Sequence, residues 1–474
     1  MGHLVSTIEF AKLLINHDHR LSVTLLIMDS PLDPTVNAYA RSLASSPNSI
    51  PTRLHLTLLP NNFPSHQSHP NMASLFDAFF QYQIPLITDA ISSLNSDPDS
   101  PRLVGFVADM FCVPVFDVAR EFGLPAFAYL ASGAAFLGFL VHLYALMDLH
   151  HVDTTAFNFK DSGMEFAFPG FVNRVPAKVF PHLAMEKEWD SFYRKHASVH
   201  KKVKGIIVNT IEELELHAVR SFSGGETSIP VYPVGPILNL KSFSSDPAQQ
   251  GWDDVNKWLD DQPPSSVLFL CFGSSGYFDQ ASQVREIACA LENSGVRFLW
   301  SLRDPPPSMK SLGSYNSNLR EVLPEGFLAR TAEIGRVIGW APQAQVLAHQ
   351  AIGGFVSHCG WNSILESIYF GVPIATWPFT AEQQINAFQL VHELKIGVEI
   401  SVDYRTGFSN GSKTEVLSAE RIEKGIKELM AKENEIRKKV KDLSVISRRA
   451  LADGGSSYSY VGRFIDDIMN FVSS

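Results

Sequence analysis

Short apolar runs alternate with amphipathic segments along the first half of the chain. The runs are rich in aliphatic and aromatic residues, and longer segments with helical spacing separate them, which predicts buried strands connected by helices. The predicted strands cover residues 22–28, 54–59, 103–108, 126–130 and 205–209. Strands that alternate with helices form a parallel sheet covered by those helices. The first half is therefore predicted to be an α/β domain.

The second half repeats this pattern. Its predicted strands cover residues 266–272, 297–302, 337–339, 353–357 and 372–377. After the first of them, a Gly-Ser turn leads into a helix whose apolar residues recur at helical spacing. The segment 230–265 between the halves is rich in Pro, Gly and Ser, as linkers are. We therefore expect two doubly wound, Rossmann-like domains that face each other and bind ligands at the carboxyl ends of their strands.

These patterns divide the chain into three parts. Residues 1–240 are predicted to form an N-terminal domain and residues 241–456 a C-terminal domain. Residues 457–474 are predicted to be helical, because Tyr460, Phe464 and Ile468 recur on one helix face. That apolar face indicates that the helix packs against another element.

Composition limits the possible partners. The chain has 474 residues, a net charge of −10 and 45% hydrophobic residues, and it does not cluster the Lys and Arg that bind nucleic-acid phosphates. No apolar run is long enough to cross a bilayer, and the first residues lack the pattern of a secretory signal. The four cysteines have no metal-binding spacing and are interpreted as free thiols of a reducing compartment. We predict a cytoplasmic monomer that binds no nucleic acid and does not insert into a membrane.

Chemically useful side chains concentrate at residues 340–383, WAPQAQVLAHQAIGGFVSHCGWNSILESIYFGVPIATWPFTAEQ. Within this stretch a predicted strand at 353–357 and a predicted helix at 361–370 are joined by the turn His358-Cys359-Gly360. The free N–H groups of the first helical turn and the positive end of the helix dipole attract anions, and His358 adds another donor. The stretch therefore predicts a site for the phosphates of a nucleotide.

This stretch resembles the plant secondary-product glycosyltransferase signature. It has the same length, the same opening Trp-Ala-Pro-Gln, the same central His-Cys-Gly-Trp-Asn-Ser and the same closing Gln, and agreement over many fixed spacings is a specific signal. The whole chain is similar to plant UDP-dependent glycosyltransferases, in particular to those that glucosylate flavonoids and other phenolics. The resemblance implies the GT-B fold, in which the last helix returns to the first domain, and UDP-glucose as co-substrate without a further cofactor.

The resemblance also implies a donor site. Its residues are Ser274, Trp340, Ala341, Gln343, His358, Trp361, Asn362, Ser363, Glu366, Trp377, Glu382 and Gln383. Trp340 would stack on uracil, and Gln343 and Glu366 would hold the ribose. The Gly-Ser turn with Ser274 and the turn at His358 would bind the diphosphate. Trp377, Glu382 and Gln383 would recognise the sugar. In the family a closing Gln accompanies glucose, and this sequence has Gln383 at that position. The residue before it, Glu382, stands where many members have Asp. Taken singly, Trp340 and Trp377 could instead be core aromatics, and Asn362 or Ser363 could be helix caps.

Two further residues match the family's catalytic pair. His3 precedes the helical segment 4–16 and would take the proton of the acceptor hydroxyl. Asp109 follows a predicted strand and would orient the imidazole. The alternatives are a solvent-exposed terminal histidine and an ordinary helix N-cap. Phe111 and Ser132 are expected beside the acceptor and the donor sugar, respectively.

The chain begins directly at the Gly-His turn. Family members have an apolar strand and a Pro-Gly loop before this pair, so the resemblance implies that the first strand of the N-terminal domain is missing from this sequence. The neighbouring strands would then lack a partner. The only DxD pattern, at residues 97–99, lies among Ser and Asn and predicts a turn rather than a metal site. No metal is therefore expected.

These observations predict an inverting UDP-glucose-dependent O-glucosyltransferase that acts on hydroxyl groups of small plant metabolites, with flavonoids or related phenolics as acceptors. Terpenoids or hormones such as abscisate are alternative acceptors. The alternative function is that of a small-molecule binding protein that keeps the UDP site but does not catalyse, because the shortened start misplaces His3. A dinucleotide-dependent dehydrogenase is disfavoured, since no GxGxxG motif follows a predicted strand.

Overall fold

The computed structural model describes residues 2–29, 34–45, 50–60, 62–64, 69–98, 100–148, 150–156, 158–224, 228–240, 252–274, 276–304, 319–406 and 415–473. Its strands are β1 (Val23–Ile27), β2 (Leu54–Leu58), β3 (Phe106–Asp109), β4 (Ala126–Leu130), β5 (Glu165–Phe166), β6 (Val175–Pro176), β7 (Gly205–Val208), β8 (Val231–Pro233), β9 (Val267–Cys271), β10 (Arg297–Ser301), β11 (Gly335–Ile338), β12 (Ile352–Ser357), β13 (Ile374–Thr376) and β14 (Gly397–Glu399). Each predicted strand is found within a few residues of its expected position.

Helices connect most of these strands, as the alternating pattern predicts. They are α1 (Gly2–His17), α2 (Pro34–Ser45), α3 (Met72–Ser96), α4 (Phe116–Glu121), α5 (Ala134–Asp148), α6 (Asp190–Ala197), α7 (Glu212–Arg220), α8 (Trp252–Asp260), α9 (Ala281–Ser294), α10 (Leu319–Val322), α11 (Phe327–Arg330), α12 (Gln343–Ala348), α13 (Trp361–Phe370), α14 (Gln383–Phe388), α15 (Ala419–Met430), α16 (Glu435–Leu451) and α17 (Ser456–Ser473). A π-helical turn (Gln389–Glu393) extends α14. Among the residues described, no helix is long and apolar enough to span a membrane.

In the described part of the chain, the first half has two separate parallel sheets. One has the order β3-β4-β7-β8, and the other pairs β1 with β2. Every residue of β4 and β7 is buried, whereas β3 and most of β1 are only half-buried. Within the described ranges β1 pairs only with β2 and β3 only with β4. Among the residues described, each of these two strands therefore has one backbone edge without a strand partner.

The second half is built on one continuous parallel sheet. Its order is β11-β10-β9-β12-β13-β14, and the central strands β9 and β12 are buried along their whole length. Their apolar runs face helices on both sides of the sheet, which is why the sequence shows continuous rather than alternating hydrophobicity. The carboxyl ends of these strands face the first half.

The final helix, α17, packs against the first half. The Phe464 ring lies 5.0 Å from Phe127 of β4 and 6.2 Å from Phe10 of α1, measured between ring centroids. The Tyr232 hydroxyl of β8 donates to Asp467 at 2.7 Å. The apolar face predicted for this segment is therefore buried against the four-stranded sheet and α1.

Polar contacts join the two halves away from α17. The Glu393 carboxylate accepts the backbone N–H groups of Val172 and Asn173, each at 2.8 Å. Arg405 donates to the carbonyl oxygen of Phe180 at 2.7 Å, and burial lowers the pKa of this guanidinium to about 10. Each contact satisfies backbone groups of one half with a charged side chain of the other. Charge-assisted hydrogen bonds of this kind are stronger than neutral ones and favour one relative position of the halves.

Candidate active site

A cavity of about 440 Å³ lies between the two halves, at the carboxyl ends of their strands. His3 and Ser6 of α1, Ala131 after β4 and Ile237 line it from the first half. The predicted donor residues that line it from the second half are Ser274, Trp340, Ala341, Gln343, His358, Trp361, Asn362, Ser363, Glu366 and Glu382. Side chains that lie far apart in the sequence are therefore brought together around one space.

His3 and Asp109 form a hydrogen-bonded pair beside this cavity. His3 lies in the first turn of α1, and Asp109 is the last residue of β3. The distance from His3 Nδ1 to Asp109 Oδ2 is 2.7 Å, while Asp109 Oδ1 accepts the backbone N–H of Phe111 at 2.9 Å. The carboxylate thus caps the 3₁₀ helix Met110–Val115 and also contacts the histidine, so the geometry is compatible with both interpretations of Asp109.

Charge around His3 tunes its basicity. Burial opposes protonation, but the charge and hydrogen bond of Asp109, with a smaller contribution from Glu382, raise the pKa of His3 above its ordinary value. The ring is still half-exposed. Because Nδ1 faces Asp109, Nε2 remains available to take a proton, as the histidine of a hydrogen-bonded triad does.

The turn between β12 and α13 forms the floor of the cavity. Gly360 is the N-cap of α13 and has no side chain to bond the N–H groups of the first turn. Cys359, with φ of 63°, adopts the left-handed conformation. A Cβ atom on Gly273 or Gly360 would lie 2.6 or 2.5 Å from His358 Nε2, so glycine at both positions makes room for the imidazole. Burial lowers the pKa of His358 to about 4, so it is neutral at pH 7 and offers one N–H donor.

Gln343, at the start of α12, organises one wall. Its Nε2 donates to Ser363 Oγ at 2.8 Å and to Glu366 Oε2 at 2.7 Å. Burial raises the pKa of Glu366 to about 7, against the opposing effect of the Gln343 hydrogen bond. A carboxyl group whose pKa lies near neutral pH can accept hydrogen bonds from hydroxyl groups when it is ionised. Trp340 and Ala341 line the cavity at the other end of this wall.

Two of the predicted donor residues do not reach the cavity. The Trp377 side chain is fully buried, with ring centroids of Phe278 at 5.5 Å and Tyr404 at 5.6 Å. Gln383 turns its Oε1 to the backbone N–H groups of Phe379 and Thr380. Trp377 thus has the core position that was the alternative interpretation, and Gln383 shapes the loop before α14. Glu382, next to it, does line the cavity, and burial raises its pKa.

Of the two predicted acceptor-side residues, Phe111 lies next to His3. The Phe111 ring is 5.0 Å from the His3 ring in an edge-to-face arrangement and 5.8 Å from Phe192, with which it stacks. Ser132 follows β4 and is buried, and its hydroxyl has no hydrogen-bond partner among the described residues. Neither residue lines the cavity that holds the predicted donor residues.

The sequence did not indicate several residues of this site. Ser301 and Cys271 line the cavity from the ends of β10 and β9, and the general rule that ligands bind at strand ends could have found them. Asn209 and Glu215 lie behind the cavity and are buried. Glu215 accepts from the N–H groups of Ala134 and Ala135 at the start of α5, at 2.8 and 2.9 Å, and from Gln389 of the other half at 2.7 Å.

Metal ligands are not assembled in the parts of the chain that the structure describes. These parts contain no group of three or more His, Cys, Asp or Glu side chains that could hold an ion. Asp97 ends α3 as its C-cap, as expected for a turn. Asp99 of the DxD pattern lies outside the described residues.

Comparisons with known proteins agree with this geometry. The family model described as "UDP-glucoronosyl and UDP-glucosyl transferase" matches residues 171–443. The chain is 50% identical over 475 residues to "UDP-glucose flavonoid 3-O-glucosyltransferase 6" of Fragaria ananassa, covering 99% of this chain and 96% of that protein.

Solved structures are similar over the same extent. A transferase from Siraitia grosvenorii in complex with UDP has 43% identity and a TM-score of 0.84, with 99% of this chain and 97% of that chain covered. UGT71G1 of Medicago truncatula, complexed with UDP-glucose, has 40% identity and a TM-score of 0.83, with coverages of 99% and 96%. These likenesses confirm the predicted α/β fold of two facing Rossmann-like domains, the GT-B fold.

Proposed function

The chain belongs to the family of UDP-glucuronosyl and UDP-glucosyl transferases, and we propose that it transfers glucose from UDP-glucose to a hydroxyl group of a flavonoid or a related phenolic, with inversion at the anomeric carbon. The observation that carries this proposal is the contact between His3 and Asp109, 2.7 Å long, at the edge of a cavity lined by the predicted donor residues. A general base and a nucleotide-binding wall are then within reach of one another.

The proposed reaction is a single displacement. His3 Nε2 accepts the proton of the acceptor hydroxyl while its oxygen forms a bond to the anomeric carbon of the α-linked glucose. The bond from that carbon to the diphosphate oxygen breaks on the opposite face, and UDP leaves with the electron pair. The product is a β-glucoside, and Asp109 stabilises the imidazolium that forms.

The leaving diphosphate gains negative charge in this step. The uncapped N–H groups at the start of α13 and the neutral His358 side chain are donors that face the cavity. Fixed donors of this kind lower the barrier by several kcal/mol, because they need no reorganisation as the charge develops. The wall formed by Gln343 and Glu366 suits the ribose hydroxyls.

An aromatic acceptor fits the surroundings of His3. Phe111 and Phe192 stack on each other next to the His3 ring, and a planar phenolic gains both apolar burial and ring contacts there. The flavonoid 3-O-glucosyltransferase name of the Fragaria relative supports the same acceptor class. We also propose that the protein works as a monomer in the cytoplasm. The free cysteines Cys112, Cys271, Cys289 and Cys359 support a reducing compartment.

Product analysis tests the proposal. The protein is incubated with UDP-glucose and, in parallel, with UDP-galactose, together with a panel of flavonoids, simple phenolics, terpenoids and abscisate. Mass spectrometry should detect a hexose adduct with phenolic acceptors and UDP-glucose, and NMR should assign a β-linkage. If calorimetry detects UDP binding but no acceptor is glucosylated, the protein is a binding protein instead. An α-linked product would contradict the inverting mechanism.

A further inference from the structure

A buried asparagine lies where three parts of the site meet. Asn209 directly follows β7 and has no exposed surface. Its backbone carbonyl accepts the indole N–H of Trp361 at 2.6 Å, and its side chain lies between α1 of the first half and α13 of the second. It does not line the cavity itself. Any effect of this residue on the reaction must therefore pass through its neighbours.

The backbone fixes which way the Asn209 amide points. The N–H of Ile237 donates to Asn209 Oδ1 at 2.7 Å, and a backbone N–H can only donate. The side-chain oxygen is thus committed to the N–H of Ile237, and the NH₂ group is left for other acceptors, one of which is the Ile237 carbonyl oxygen at 3.4 Å. A Cβ atom on Gly235 would lie 2.7 Å from Asn209 Oδ1, so glycine there leaves room for the arrangement.

The Asn209 NH₂ group in turn fixes the orientation of Asn362. It lies 3.4 Å from Asn362 Oδ1 and 3.4 Å from Ser6 Oγ, long distances that fit one group shared among several acceptors. Since this group is a donor, it selects the oxygen of Asn362. The Asn362 Nδ2 is left on the other side, 3.5 Å from the carbonyl oxygen of Gly2, and both residues line the cavity.

We propose that Asn209 is a positioning residue that holds the Asn362 amide with its N–H groups, rather than its carbonyl, toward the diphosphate of the sugar nucleotide. The inference rests on the proposed function, because it takes UDP-glucose as the ligand of the cavity. The hydrogen bonds follow one direction, because Ile237 donates to Asn209, Asn209 donates to Asn362, and Asn362 donates to the Gly2 carbonyl at the start of α1. The same residue thereby connects the donor turn with the helix that carries His3.

A double-mutant cycle tests this direction. Asn209→Asp keeps the oxygen that accepts from Ile237 and replaces only the NH₂ group with a second acceptor, so Asn362 turns its carbonyl toward the diphosphate. We expect kcat/KM for UDP-glucose to fall about tenfold, the loss of one buried hydrogen bond with its orientation. In the Asn362→Ala background the same change should cost less than about twofold, because residues that act through one another are not additive.

Controls separate positioning from general damage. Asn293→Asp changes an exposed asparagine of α9 that does not line the cavity, and it should leave kcat/KM nearly unchanged in both backgrounds. Thermal melts check the fold of each variant. If Asn209→Asp does not fold, Asn209→Ser, whose side chain is too short to reach Asn362, is used in the same cycle.

The outcomes distinguish this inference from the proposed function. An equal loss in both backgrounds, or no loss with Asn362 present, overturns the positioning role of Asn209. Absence of glucosylation by the unaltered protein overturns the proposed function alone. In that case the affinity for UDP, measured by calorimetry for the same four proteins of the cycle, decides the role of Asn209. A loss of affinity confined to proteins that retain Asn362 supports it.

Discussion

The two halves of the molecule use the same kind of parallel sheet but support their functional residues differently. In the second half one continuous six-stranded sheet carries the turn before α13, and its central strands are fully buried. In the first half the sheet is divided, and Asp109 ends the half-buried strand β3 while His3 lies on α1, outside both sheets. The wall formed by Gln343 and Glu366 thus rests on a complete framework, whereas the His3–Asp109 pair depends on side-chain contacts.

The largest expected effect separates catalysis from donor binding. His3→Ala removes the proposed base, so kcat should fall by about 10²–10⁴-fold. The affinity for UDP should change little, because the predicted donor residues belong to the other half. Initial rates and calorimetry on the same preparation check both statements. Retained turnover would remove His3 from its proposed role.

A matched pair of leucine substitutions compares the stability contributed by the six-stranded sheet with that contributed by the β1-β2 sheet. Leu270→Ala in β9 removes a side chain with no exposed surface and should lower the free energy of unfolding by about 2–5 kcal/mol. Leu25→Ala in the half-buried β1 should cost only about 1 kcal/mol. Chemical denaturation followed by circular dichroism measures both. Equal losses would contradict the difference drawn between the sheets.

Asp109→Asn tests whether the charge of the carboxylate matters as well as its position. His3 acts as a base only when neutral, and Asp109 raises its pKa, so kcat/KM should rise with pH through a value above the ordinary histidine pKa. Loss of the charge lowers that pKa, so the acid limb moves to lower pH. The plateau should fall at least about tenfold, since the imidazolium is no longer stabilised. An acid limb that stays in place would assign it to another group.

The smallest expected effect concerns Glu366, which forms one wall of the cavity with Gln343. The pKa of Glu366 is about 7, and ribose hydroxyls donate to its ionised form, so affinity for UDP-glucose should weaken about threefold as pH falls from 8 to 6. Glu366→Gln should bind more weakly at high pH and show no such dependence. Calorimetry with UDP-glucose, whose diphosphate does not titrate in this range, measures the effect. A dependence that persists in Glu366→Gln would exclude this residue as its source.

The sequence predicted the main framework because long apolar runs leave little ambiguity. The strands from β1 to β4, and the ends of α13, were found almost at their expected positions. The short strands β5, β6, β8 and β14 were not predicted, since two or three residues carry no periodic signal. They form where neighbouring elements offer a backbone edge.

The site was predictable only where local motifs define it. The turn around His358 and the wall at Gln343 follow from one continuous stretch, whereas Trp377 in the same stretch points into the core. The role of Asn209 depends on Ile237, Ser6 and Asn362, which come from three distant segments. No spacing in the sequence reveals such a meeting point.

The packing of α17 against α1 sets an order of assembly during synthesis. The rings of Phe10 and Phe464 meet between these helices, and the His17 ring lies 4.3 Å from that of Tyr458. The helix that carries His3 leaves the ribosome early and α17 leaves it late, so the proposed base can reach its final support only after the donor half has been made. A nascent chain would therefore complete the wall formed by Gln343 and Glu366 before α1, which carries the proposed base, gains its support from α17.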